Sequence, residues 1–129
     1  MIAVDASAIL AILLEEPEGP GFEALLVAEG GVISSVNYWE VIVRARKAAG
    51  VRGKDLAAAL LSQLGIEVRT VTAADADQAA DAFERFGRGA SADLNLGDCF
   101  AYALARAEGD GLLYKGNDFP KTDIPSPLG

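Results

Sequence analysis

The sequence has no histidine and only one cysteine, Cys99. The absence of histidine excludes a Ser-His-Asp triad, imidazole acid–base chemistry and His-ligated zinc. One cysteine can form neither an internal disulfide nor a thiolate cage for a metal, and it suits the reducing cytoplasm, where we expect the protein to act. Hydrolytic chemistry in this chain would therefore depend on carboxylates, together with an oxygen-preferring cation such as Mg²⁺ or Mn²⁺.

Long apolar runs are also missing. The longest, Ala8 to Leu14, is far too short to span a bilayer, and Asp5 interrupts the N-terminal segment. We therefore expect no membrane association and no signal peptide. With 129 residues, 51% of them hydrophobic, the chain is predicted to form a single domain over residues 1–129 with one proper core.

Positive charge is scarce, since the formal net charge is −8. A surface of this kind does not bind nucleic acid over its whole area. The basic residues are nevertheless clustered, because five of the eleven lie close together in the chain: Arg44, Arg46, Lys47, Arg52 and Lys54. This cluster is either a solvated helix end or a patch that contacts phosphates or an acidic partner.

Short apolar strands alternate with helices along the chain. The predicted strands are Ile2–Val4, Val32–Ser34, Ile66–Val71 and Leu112–Tyr114, and the proline-containing tail allows one more near Ile124. The predicted helices cover Ala6–Leu14, Phe22–Glu29, Asn37–Ala49, Lys54–Leu64, Ala73–Phe86 and a segment between Asn95 and Gly109. This alternation predicts an α/β fold, a three-layer α/β/α sandwich with a central, mostly parallel sheet of four to five strands.

The last predicted helix is apolar except at its ends. Helical spacing places Leu96, Phe100 and Ala103 on one face, with Asp98 and Tyr102 roughly opposite. Asp98 lies in the first turn, where the helix dipole favours a negative charge. It is therefore either part of a capping box with Asn95 or a carboxylate at the mouth of a site.

Three further acids are predicted to lie at the same edge of the sheet as Asp98. Asp5 follows the first strand, Glu40 lies in the first turn of the helix after the second, and Asp118 lies just beyond the fourth. Functional sites of parallel sheets lie at the carboxyl ends of the strands. Each acid has a local alternative: an N-cap for Asp5, a capping box between Asn37 and Glu40, and an Asx-turn for Asp118. Together they would repel one another and raise their pKa values, which a divalent cation would relieve.

Several segments resemble a known family when they are taken together and in order. They are Val4–Ala8, Glu40 after Ser34-Ser35, Leu94–Cys99 followed by Ala101–Ala105, Leu112–Phe119, and Thr122–Ile124. In these segments the chain resembles the PIN-domain toxins of the VapC type, the ribonuclease halves of prokaryotic type II toxin–antitoxin pairs. The resemblance covers almost the full length of the chain.

The resemblance implies a Mg²⁺- or Mn²⁺-dependent endoribonuclease that leaves 5′-phosphate and 3′-hydroxyl ends on a structured RNA such as tRNA or rRNA. It also implies a VapB-like antitoxin partner and a homodimer. The family's catalytic, metal-binding acids fall on Asp5, Glu40, Asp98 and Asp118, and supporting polar residues fall on Ser7, Asn117 and Asp123. The residues that would contact RNA or antitoxin are Arg44, Arg46, Lys47 and Arg52.

Two other functions remain open from the sequence. One is a PIN-fold protein-binding module that has lost catalysis. The other is a magnesium-dependent phosphatase of the haloacid dehalogenase type, which expects a second aspartate two residues after the first. The residue at that position is Ser7.

Overall fold

The computed structural model describes all residues from 1 to 129, and its centre is a four-stranded, all-parallel sheet. The strands are β1 (Ala3–Val4), β2 (Gly31–Ser34), β3 (Ile66–Arg69) and β4 (Leu112–Leu113), in the spatial order β3-β2-β1-β4. The helices are α1 (Ala6–Leu13), α2 (Gly19–Glu29), α3 (Ser35–Ala49), α4 (Gly53–Gln63), α5 (Ala73–Phe86) and α6 (Leu96–Glu108). Short 3₁₀ turns cover Gly50–Arg52 and Phe119–Lys121. The predicted α/β/α sandwich is confirmed.

Both faces of the sheet are covered, which explains its nearly continuous apolar strands. Val4, Ile33 and Leu113 point into a core shared with α1, α2, α3 and α4. The neighbouring positions, Ala3, Val32 and Leu112, point into a second core shared with α5 and α6. Because successive strand residues face opposite sides, β1, β2 and β4 contribute to both cores, whereas β3 contributes only Ile66, to the first.

Some predicted boundaries were wrong. Helix α2 begins at Gly19 rather than Phe22, because Pro20 suits the first turn of a helix. Strand β3 ends at Arg69 rather than Val71. The tail near Ile124 forms no strand, although the Leu112 N–H donates to the Pro125 carbonyl at 3.0 Å. Pro125 has no N–H to return, so the pairing does not extend into a ladder.

Helix α6 is largely buried, and its most apolar side chains are not all on the buried side. Leu96 is 67% exposed, whereas Tyr102 is only 4% exposed. The helix packs against the sheet and α5 together, so its buried residues extend around more than one face. None of the helices in the chain combines the length and the apolarity that crossing a membrane requires.

Candidate active site

The carboxyl ends of the strands open onto a cavity of about 380 Å³ that contains three of the four predicted acids. Asp5 directly follows β1, Glu40 lies in the second turn of α3, and Asp98 lies in the first turn of α6. All three side chains line the cavity. Asp118 lies beyond β4, at the start of the short Phe119–Lys121 turn, and does not line it, but its charge acts on Asp98.

Asp5 is the most buried acid of the site, with 6% of its surface exposed. Its Oδ2 accepts the Ser7 N–H at 3.0 Å, which caps α1, and the Ser7 hydroxyl at 2.5 Å. Burial raises the pKa of Asp5 from 3.8 to about 6, the nearby Glu40 charge adds to the shift, and the Ser7 hydrogen bonds oppose it. The capping interpretation is confirmed, and the cap holds this carboxylate at the cavity.

Glu40 is positioned by a buried neighbour whose role the sequence did not show. The Asn37 side-chain amide donates to Glu40 Oε1 at 2.8 Å and to the Gly97 carbonyl at 2.9 Å, so it connects α3 with α6. The predicted N-cap role of Asn37 is wrong, because the Ser34 hydroxyl caps α3 and Asn37 lies inside the helix. Burial raises the pKa of Glu40, and the Asp98 charge adds to this, while Arg44 opposes it.

Asp98 forms the predicted capping box and lines the cavity as well. Its Oδ2 accepts the Asn95 N–H at 3.0 Å, and its own N–H donates to Asn95 Oδ1 at 2.9 Å. Burial raises the pKa of Asp98 to about 6, and the charges of Asp5 and Asp118 add to the shift. The capping interpretation of Asp98 is confirmed, and the same residue lines the cavity, as the site interpretation requires.

The four acids form one electrostatic group. The charge of Glu40 raises the pKa of Asp5, and the charges of Asp5 and Asp118 raise the pKa of Asp98. The charge of Asp98 in turn raises the pKa of Glu40. In this structure the carboxylates do not converge on one point, since no three acidic or thiol side chains are close enough together to coordinate one metal ion. The donor set nevertheless suits a hard divalent cation, since it consists of carboxylate oxygens that repel one another.

The other predicted polar residues are placed differently. Ser7 connects Asp5 to the loop after β4, because its hydroxyl accepts the Lys115 N–H at 3.0 Å. Asn117 is exposed. Asp123 lies in a separate network, where it accepts the Tyr102 hydroxyl and pairs with Arg85 and Arg106 at 3.3 and 3.4 Å. The Tyr102 hydrogen bond and the arginines lower the pKa of Asp123.

Two basic residues, Arg44 and Lys115, line the cavity beside the acids. Arg46, Lys47 and Arg52 are exposed and form no salt bridge, and they do not line it. Lys115 was missed by the sequence reasoning. It follows β4 at the carboxyl edge, so the rule that selected the acids would have selected it too.

The fold and this edge of acids define a class of protein. The family model for the PIN domain matches residues 2–125. The solved structure of VapC20 from Mycobacterium tuberculosis, described as a Sarcin-Ricin loop cleaving toxin, superimposes with a TM-score of 0.79. The alignment covers 97% of each chain at 19% identity, which shows the shared fold. The chain is therefore built as a PIN domain.

Relatives that are similar in sequence show to which family of PIN-domain proteins the chain belongs. Ribonuclease VapC30 from M. tuberculosis is 38% identical over 128 residues, covering 95% of each chain. Ribonuclease VapC42 from the same species is 40% identical over 124 residues, covering 94% of this chain and 95% of the relative. Ribonuclease VapC from Mycolicibacterium smegmatis is 36% identical over 126 residues, covering 95% and 97%. The chain belongs to the VapC family of PIN-domain toxins, as its sequence motifs indicated.

Proposed function

We propose that this chain is the toxin of a type II toxin–antitoxin pair and cleaves RNA as a Mg²⁺- or Mn²⁺-dependent endoribonuclease. One observation carries the proposal. Asp5, Glu40 and Asp98 share one cavity at the carboxyl edge of the sheet, and each has a raised pKa. Such clustering of perturbed carboxylates is typical of functional sites. The curated VapC relatives, named ribonucleases, support the same conclusion.

Asp5, Glu40, Asp98 and Asp118 would hold the cation, which in its bound form lowers the pKa of a water molecule and neutralises charge on a phosphodiester. Asp5 is fixed for this role by Ser7, and Glu40 by Asn37. Glu40 Oε2 and Asp98 Oδ1 accept no hydrogen bond from the protein, so each is free to take a ligand or a proton. With no histidine in the chain, a carboxylate is the protein group that accepts the proton.

A VapB-like antitoxin is the proposed protein partner, and a structured RNA such as tRNA or rRNA is the proposed substrate. The exposed residues Arg46, Lys47 and Arg52, near the C-terminal end of α3, would contact RNA phosphates or an acidic antitoxin segment. The proposed homodimer would bury an apolar groove between α5 and α6 that contains Phe83 and Leu96, which are 46% and 67% exposed.

The test is cleavage of end-labelled tRNA and rRNA fragments by the purified chain. We expect cleavage with Mg²⁺ or Mn²⁺, its loss in excess EDTA, and its recovery when the metal is restored. Undiminished cleavage in EDTA would contradict the metal dependence. A folded chain that cleaves no RNA but binds a VapB-like protein would support the protein-binding module, and release of phosphate from a small phosphomonoester would support the phosphatase.

A further inference from the structure

The backbone of Lys115 is hydrogen-bonded to a residue of the acidic site. Its N–H donates to the Ser7 hydroxyl at 3.0 Å, and that hydroxyl donates to Asp5 Oδ2 at 2.5 Å. The Ser7 hydroxyl thus connects the Lys115 backbone with the Asp5 carboxylate, so the start of the Lys115 side chain is held close to Asp5. Lys115 lines the same cavity as Asp5, Glu40 and Asp98.

The ammonium group of Lys115 contacts acids outside the four predicted ones. Nζ lies 3.1 Å from Glu16 Oε2 and 3.7 Å from Glu18 Oε2, both in the turn between α1 and α2. One positive charge therefore faces two negative charges. Glu16 also lines the cavity, so this pairing takes place at the rim of the candidate site.

These ion pairs are easily exchanged. The side chains of Lys115, Glu16 and Glu18 are 33%, 35% and 42% exposed, and solvent-exposed pairs of this kind contribute little to stability. Lysine binds phosphate as a flexible point charge. An RNA phosphate that entered the cavity would therefore replace the two glutamates at a small energetic cost.

We propose that Lys115 contacts a backbone phosphate of the RNA, and that Glu16 and Glu18 compete with that phosphate for its ammonium group. The inference rests on the proposed function, since it assumes an RNA substrate. The two glutamates act as an intramolecular substitute for the phosphate and lower the affinity for RNA. Lys115 is thus a substrate contact, and the turn between α1 and α2 sets how strongly it binds.

The test is the affinity of the full chain for a fluorescein-labelled, mixed-sequence single-stranded RNA, measured by anisotropy in EDTA at several salt concentrations. Lys115→Met should weaken binding about tenfold, because a charge-assisted contact is lost. It should also reduce the slope of log Kd against log salt by about 0.7, the value for one phosphate contact on a single strand. Lys115→Arg should retain most of the affinity, and circular dichroism should show all variants folded.

The double substitution E16Q/E18Q should strengthen binding by about threefold or more, because the competing charges are removed. Its matched control is E15Q/E23Q, which changes the net charge equally at two exposed glutamates that form no salt bridge. In the Lys115→Met background, E16Q/E18Q should increase the RNA affinity no more than E15Q/E23Q does. The ammonium group for which Glu16 and Glu18 compete with RNA is then absent.

The proposal would be overturned by an equal gain from the two double substitutions, by a gain that persists without Lys115, or by unchanged affinity and salt slope in Lys115→Met. A parallel cleavage assay with Mg²⁺ separates this failure from that of the proposed function. If the wild type binds and cleaves RNA while Lys115→Met binds equally well, only the inference fails. If the wild type neither binds nor cleaves RNA, the proposed function fails and the inference with it.

Discussion

Asp98 Oδ2 accepts the Asn95 N–H, while its Oδ1 accepts no hydrogen bond from the protein. The capping box thus fixes the direction of the side chain and leaves one oxygen available at the cavity. The positive end of the α6 dipole also favours the ionised form, but burial and the charges of Asp5 and Asp118 outweigh it, since the pKa is raised to about 6. A capping residue and a metal ligand are compatible roles for one carboxylate.

Asp98→Asn should abolish metal-dependent RNA cleavage. The cleavage rate should fall by more than the roughly 10- to 100-fold that removing a hydrogen-bond partner of a metal ligand costs. The reason is that Asp98 is itself a proposed ligand. The metal-free variant should unfold at the same temperature as the wild type or higher, because asparagine can still accept the Asn95 N–H and no longer repels its neighbours. Cleavage rates and thermal unfolding in EDTA measure both effects. A folded variant with full activity would remove Asp98 from the mechanism.

Glu40 lies in the second turn of α3, and its predicted capping box with Asn37 was wrong. The positions of Asp5, Asp98 and Asp118 could be predicted from the sequence, because each stands next to a strand end or a helix start, where local rules apply. The role of Asn37 could not. It depends on the distance between α3 and α6, and the Asn37 amide bonds the Gly97 carbonyl 60 residues away. The position of Asp123 beside Tyr102, Arg85 and Arg106 depends likewise on how the tail crosses α5 and α6.

At the scale of elements, the contact between α3 and α6 brings two of the acids together. Gly97 lies where Glu40 approaches the start of α6, and a Cβ built on Gly97 would overlap the carboxylate, reaching even its farther oxygen at 2.7 Å. The absence of a side chain at position 97 therefore leaves the space that Glu40 occupies. The long-range hydrogen bond from Asn37 to Gly97 holds the two helices in this arrangement.

Gly97→Ala should displace Glu40 from Asn37 and lower RNA cleavage about tenfold or more, because small misplacements of catalytic groups are costly. The fold should survive, since the displaced group is the end of a flexible side chain. Cleavage kinetics and circular dichroism check this, with Gly21→Ala as the control, because a Cβ at Gly21 meets nothing within 4 Å. Equal activity in the two variants would show that the position of Glu40 does not matter.

The order and type of the helices and the four main strands could be predicted, because apolar strands and helix-capping residues alternate regularly in the sequence. The orientation of α6 could not. Its apolar residues extend around most of the helix, so periodicity alone does not choose the buried face. The structure leaves Leu96 exposed and buries Tyr102, whose hydroxyl finds its partner in Asp123.

At the scale of the whole molecule, the acids of the cavity make the stability of the fold depend on pH. Asp5, Glu40 and Asp98 have raised pKa values in the folded chain. The folded state therefore holds protons that the unfolded state has already released, and stability falls as pH rises from the ordinary carboxyl pKa through about 6. The lowered pKa of Asp123 has the opposite effect, because it makes stability rise with pH. This effect is confined to pH values below 3.8, the ordinary pKa of an aspartate.

The metal-free protein should be more stable at about pH 5 than at about pH 7.5, with Asp5 alone contributing about 1 kcal/mol to the difference. This corresponds to a few degrees in Tm. Thermal unfolding in EDTA across this range measures it. Asp5→Asn should reduce the difference, because its side chain no longer titrates, and a wild type that becomes more stable as pH rises would contradict the raised pKa values.

We propose that the carboxylates at the sheet edge bind a divalent cation, and Mn²⁺ titration calorimetry on the apo protein near pH 7.5 tests this proposal most directly. We expect saturable binding by the wild type, at least about tenfold weaker binding by Asp98→Asn, and unchanged binding by Glu23→Gln, an exposed acid that does not line the cavity. No binding by the wild type, or equal binding by the wild type and Asp98→Asn, would contradict it.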